Sequence, residues 1–313
     1  MPRTTLIRAT VLTAFVLCFI VVVLGAYVRL SAAGLGCPDW PGCYGHLTPE
    51  GAAASQDTAV DMAKAWKEMI HRYAAATLGL LIIFIAALAI QTRRSRTVSL
   101  PYASGLLALV VTQGILGMLT VTWQLKPIIV TAHLLLGLAT LSMLWWLALT
   151  IGRRQASAWR GNTPFLGSSL PRTRLIALLG LAALAAQIAL GGWTSSHYAA
   201  TACPDFPKCQ GQWWPPMNGA VAIHFTHRLG ALFAAGVLVL AAVRVLRSRS
   251  DDFARLAALS VLATLFLQLI IGGAMVLDGF PLWLATAHNA GAALLLLAVV
   301  ALNRSLRPAW KAT

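Results

Sequence analysis

The sequence predicts an all-α integral membrane protein, with eight transmembrane helices forming two tandem four-helix bundles. Three observations predict it. First, 58% of the 313 residues are hydrophobic and 11% are charged, whereas a soluble domain carries about 25% charged residues. The mean hydropathy of +0.75 agrees. A water-soluble globule, a disordered chain and a disulfide-rich secreted fold are excluded. Second, apolar runs of the roughly 20 residues needed to cross a bilayer occur eight times. Third, the chain repeats its own motifs at a nearly constant spacing.

The runs cover residues 8–30, 69–91, 102–122, 128–151, 175–196, 221–246, 256–277 and 282–303, each bounded by arginines, proline or glycine. The first follows Arg3 and opens on Arg8. The second ends before Arg93-Arg94 and the third begins after Pro101. The fourth lies between Pro127 and Arg153-Arg154. The fifth follows Arg172 and Arg174, and the sixth ends among Arg244, Arg247 and Arg249. The seventh follows Arg255, and the eighth lies between Pro281 and Arg304. The first run is longer than a signal-peptide core of about 7–15 residues and has an internal counterpart, so it is read as a retained helix.

Charge sets the orientation. With the N-terminus and alternate loops on one side, that side holds 17 of the 24 basic residues and only Asp251 and Asp252 of the nine acids. The other side keeps seven of each, so the formal charge of +15 lies on one face. This is the positive-inside pattern, which predicts cytoplasmic N- and C-termini. It accounts for the basic balance through the lipid bilayer and excludes nucleic acid as the partner.

Residues 37–45 read CPDWPGCYG and residues 203–211 read CPDFPKCQG, an offset of 166. His71-Arg72 matches His227-Arg228 at 156. Gln113 matches Gln268, and Thr131-Ala132-His133 matches Thr286-Ala287-His288, at 155. The expected organisation is an N-terminal unit over 1–151, an Arg-rich linker over 152–174 and a C-terminal unit over 175–313, related by parallel duplication. Such repeats serve both cofactor-binding bundles and transporters.

Four of the five cysteines form two C-x5-C pairs, Cys37 with Cys43 and Cys203 with Cys209, on the outer, oxidising side. Each pair reads as a bridge over a short loop, either a structural staple or a redox-active couple. Zinc is disfavoured because its ligands come as C-x(2–4)-C pairs with histidine partners. Cys18, inside the first run, reads as a small apolar residue.

His71, His133, His227 and His288 take matching places about one turn inside the outer surface. Ionisable groups within spans are functional candidates by default. Zinc or copper asks for a third or fourth donor, and no such set repeats in both units. Haem iron needs only two axial imidazoles. The expectation is one haem site per unit, with Arg72 and Arg228 either pairing with propionates or marking helix ends. His46 and His197 have no repeat partners and read as surface or cap residues.

The units differ at one place. Glu68-x-x-His71 stands where the second unit has His224-x-x-His227. A carboxylate three residues before a ligand lies on nearly the same helix face. There it can act as a base or stabilise positive charge. The plainer readings are a hydrogen-bond acceptor or a helix cap.

Taken together, GAYVRLSAAGLGCPDWPGCYG, EMIHR, TAH, CPDFPKCQG, HFTHR and TAH resemble the haem A synthases over residues 25 to 300. The resemblance implies an eight-helix inner-membrane oxidoreductase that converts a ring methyl of haem O to a formyl group, giving haem A. It implies His71 and His133 as ligands of the substrate haem and His227 and His288 as ligands of a haem b cofactor. Glu68 matches the catalytic carboxylate. Cys37 and Cys43 match a pair assigned to the reaction or to haem transfer, and Cys203 and Cys209 match a second pair. Haem O synthase and the terminal oxidase are the implied partners. A two-haem b electron carrier that oxidises quinol and a haem or solute transporter are the rival readings, and a homo-oligomer is left open.

Overall fold

A computed structural model of the chain describes residues 3–55, 60–91, 98–160, 171–248 and 250–307. The described residues form nine α-helices: α1 (Arg3–Leu30), α2 (Pro49–Ser55), α3 (Met62–Gln91), α4 (Leu100–Thr122), α5 (Pro127–Arg160), α6 (Pro171–Ser196), α7 (Gly219–Arg247), α8 (Asp252–Leu277) and α9 (Leu282–Ser305). All but the short α2 are long and apolar enough to cross a membrane, as the eight predicted runs require. A spanning segment must satisfy its backbone polar groups internally, which an α-helix does.

Helix starts follow local chemistry. Pro127 and Pro171 open α5 and α6, where proline's missing N–H costs nothing. Asp251 caps α8 by accepting from the Ala254 N–H at 2.8 Å. The apolar run of the second span begins at residue 69. The helix begins at Met62, because its polar first turns still form helix outside the apolar run. That shift places Glu68 in the second turn rather than at the cap. The basic residues Arg93, Arg94, Arg96, Arg249 and Lys311 lie outside the described residues. So does the 161–170 portion of the expected linker, while its ends belong to α5 and α6.

The chain divides into two compact units, Met1–Leu144 and Trp145–Thr313. In the first, α1 packs on α3 and α3 on α4, and the Gln113 amide of α4 bonds the His133 carbonyl of α5 at 2.9 Å. In the second, α6 packs on α7, α7 on α8, α8 on α9 and α9 back on α6. The C-terminal half of α9, Leu295 through Ser305, is buried throughout. It is tied to α6 by Asn303 Nδ2 donating to the Ala177 carbonyl at 3.1 Å. Outward faces carry exposed Leu80, Phe84, Leu232, Phe233 and Phe266, the apolar surface that a bilayer solvates.

Candidate functional site

The two cysteine pairs are disulfides, Cys37–Cys43 and Cys203–Cys209, and all four cysteines are fully buried. Each sits in a small knot with matching local structure. Asp39 accepts from the N–H groups of Tyr44 and Gly45 at 2.6 and 2.7 Å. Asp205 does the same for Gln210 and Gly211 at 2.6 and 2.9 Å. Cys43 pairs its backbone with His46, and Cys209 with Gln212. The two residues between them turn through positive φ: +52° and +81° at Tyr44 and Gly45, +53° and +76° at Gln210 and Gly211. This explains the aspartate and glycine of the repeated motif. The carboxylate gathers two adjacent N–H donors, and glycine takes the left-handed position without steric cost. The N–H groups of Gly211 and Gln210 hold the Asp205 carboxyl below the usual carboxylate range.

Arg72 and Arg228 clamp these knots to their helices. Arg72 donates to the carbonyls of Asp39 and Gly42 at 2.8 and 2.5 Å, and pairs with the Glu68 carboxylate at 2.5 Å. Arg228 donates to the carbonyls of Asp205, Lys208 and Cys203 at 2.9, 2.8 and 2.8 Å. Neither reading of these arginines from sequence anticipated this role, because the loop carbonyls reach them only through folding.

Glu68 is 4% exposed. One carboxylate oxygen holds Arg72 and the other accepts from the Cys37 N–H at 2.9 Å. In the second unit His224 is also 4% exposed, and its Nε2 accepts from Arg228 Nε at 3.2 Å. The first unit thus places a carboxylate, its cation and a disulfide together, one helical turn from His71. The second unit places a neutral ring there.

The four histidines fall into pairs. His71 interacts electrostatically with His133, and His227 with His288. Each ring lies against a glycine of the neighbouring helix. A Cβ at Gly25 would fall 2.9 Å from His71 Cε1, and one at Gly117 3.5 Å from His133 Cε1. At Gly191 and Gly272 the distances to His227 and His288 are both 3.0 Å. Nδ1 of His71, His133 and His288 is buried without a protein partner. Two imidazoles per unit, ring nitrogens left unspent and a backbone that yields space to each ring suit the axial ligation of a porphyrin iron. No group of three or more metal-ligating side chains stands together among the described residues, so the donor sets do not suit a bare ion.

The model of the COX15-CtaA family, cytochrome oxidase assembly proteins, matches residues 8–300. The chain belongs to this family. A haem A synthase of Shewanella oneidensis is 39% identical, with 97% of this chain and 96% of that one covered. A haem A synthase of Symbiobacterium thermophilum is 30% identical over 75% of this chain and 73% of that one. One of Halalkalibacterium halodurans is 29% identical, with 86% of each covered.

Of the other residues singled out from sequence, His197 packs tilted against Trp193 at 4.2 Å between ring centroids, and His46 serves the first knot through its backbone. Cys18 is buried and forms no disulfide. Sequence reasoning missed the four glycines and Gln187. Gln187 Nε2 donates to the His227 carbonyl at 2.9 Å and lies 3.0 Å from its Nδ1. A signal was present: Gly25 and Gly191 stand 166 apart, and Gly117 and Gly272 stand 155 apart, the spacings of the cysteine and histidine motifs.

Proposed function

We propose that the chain is a haem A synthase, an oxidoreductase that converts a ring methyl of haem O to a formyl group by way of the alcohol, with water as the source of the oxygen atom and the electrons removed passing to an acceptor outside the chain. The observation that carries this reading is the asymmetry between otherwise matching sites. Glu68 and its Arg72 partner stand beside His71, and His224 takes the corresponding place beside His227. A pure electron carrier has no use for that difference.

His71 and His133 hold the substrate haem in this assignment, and His227 and His288 hold haem b. When bound, haem b supplies one-electron acceptance. Glu68 acts at the substrate. Its two accepted hydrogen bonds leave lone pairs free, since an ionised carboxylate offers about four acceptor sites. It takes a proton from the reacting methyl side or stabilises positive charge developing there, in a buried setting where such charge is felt strongly. Arg72 and the Cys37 N–H fix its position, so no reorganisation is needed at the moment of reaction. The Cys37–Cys43 bridge serves as the frame that presents this N–H, and Cys203–Cys209 frames the second unit. Haem O synthase as supplier, the terminal oxidase as consumer, a bacterial inner-membrane location with cytoplasmic termini, and the 1–151 and 175–313 division all belong to the same reading.

Co-expression with haem O synthase, followed by mass analysis of the extracted haem, tests it. The protein should carry haem b together with haem O, its alcohol or haem A. Glu68→Ala should stop haem A formation while both haems stay bound. Haem b alone in the wild type, or normal turnover in Glu68→Ala, overturns the reading.

A further inference from the structure

We propose that His71 is the releasable ligand of the four, and that glutamines bracing the other three set this difference. The proposal rests on the haem assignment above.

Three histidines share a device. The Gln113 amide donates to the His133 carbonyl at 2.9 Å, that of Gln187 to the His227 carbonyl at 2.9 Å, and that of Gln268 to the His288 carbonyl at 3.0 Å. In the second unit the same amides also reach the rings, 3.0 Å from His227 Nδ1 and 3.3 Å from His288 Nε2. Each glutamine lies on the helix that also carries the glycine facing that ring. One helix therefore both makes room for the imidazole and anchors the turn that bears it.

His71 lacks the device. Gly25 faces its ring, but at the offset of 166 that relates Gly25 to Gly191, Gln187 corresponds to Val21. No side chain bonds the His71 carbonyl among the described residues. The receiving helix agrees with this. Each glutamine packs on a glycine one turn after its histidine: Gln113 on Gly137, Gln187 on Gly230 and Gln268 on Gly291. Helix α3 has Ala74 and Ala75 at those steps. The amide and the space for it are thus absent together at one histidine of four.

The unbraced histidine stands where the chemistry needs exchange. A substrate must enter and a product must leave the first unit, whereas a cofactor stays in the second. Outer-shell partners of a ligating histidine hold its ring in place. A turn without that tie lets its imidazole part from iron at lower cost while His133 keeps hold. Gln113, Gln187 and Gln268 are in this account positioning residues.

The test measures haem release rather than turnover. Full-length protein from cells making haem O is mixed in detergent with excess apomyoglobin, and the haem remaining is extracted and identified over time. Haem O and its products report the first unit, and haem b reports the second. The wild type should release the first class about tenfold faster than haem b, the worth of one buried hydrogen bond at about 1.4 kcal/mol. Gln187→Val should speed haem b release by a similar factor. Val21→Gln with Ala74→Gly should slow release from the first unit. Equal wild-type rates, or unchanged haem b release in Gln187→Val, overturn the proposal. Should the double variant fail to fold, the wild-type ratio of rates decides on His71 and Gln187→Val decides on the brace. The identity of the extracted porphyrin reports separately on the enzyme assignment, and the ratio of rates reports on the brace.

Discussion

Adding one methyl group opposite each histidine should give a graded response. At Gly191 and Gly272 an alanine Cβ would stand 3.0 Å from the facing Cε1, and at Gly25 2.9 Å. Carbon atoms prefer about 3.5–4.0 Å, so ring or helix must yield by at least about 0.5 Å. Overpacking of this kind costs about 1–3 kcal/mol. Alanine regains about 1 kcal/mol of helix propensity, which leaves a net loss because both ring and facing backbone belong to packed helices. At Gly117 the distance is 3.5 Å, an ordinary contact, so Gly117→Ala should be neutral or mildly stabilising. The assay is haem bound per polypeptide, with thermal unfolding followed at the haem absorption band. At about 2–4 °C per kcal/mol, Gly191→Ala and Gly272→Ala should lose several degrees, and Gly25→Ala should weaken retention of haem O. Equal damage from Gly117→Ala and Gly272→Ala, or wild-type behaviour in both Gly191→Ala and Gly272→Ala, would refute the view that these glycines seat the rings.

Arg72→Ala should destabilise more than Arg228→Ala in thermal unfolding. The first strands a buried carboxylate, a loss of about 3–5 kcal/mol, and the second exposes a neutral ring. Adding Glu68→Gln to Arg72→Ala should recover part of the loss. The Asp205 carboxyl is held below its usual range by the N–H groups of Gly211 and Gln210. Its contribution is therefore present above about pH 4 and lost as pH falls through the depressed value. Limited proteolysis of the 203–211 loop should accordingly stay flat from pH 7 to about 4 and rise below it. Asp205→Asn should make the loop cleavable already at pH 7.

The membrane class, the eight spans and the histidines and acid that make up the site are all legible in the residue order. Those properties are one-dimensional: apolar run length, arginine placement and motif spacing survive without knowledge of any contact. Even the glycines facing the rings are legible as spacings of 166 and 155, the same as those of the polar repeat residues. Tertiary structure decided what each residue does to another. Only the folded chain pairs His71 with His133 and His227 with His288. It turns Arg72 and Arg228 from charge markers into loop clamps and ties Glu68 to the Cys37 N–H across 31 residues. Partners in a packed helical protein are set by which helices become neighbours, and no local period encodes that choice. The starting residue of α3 belongs to the same class. The apolar run begins near residue 69, but helix persists through polar residues back to Met62, so Glu68 sits inside a helix with both oxygens engaged.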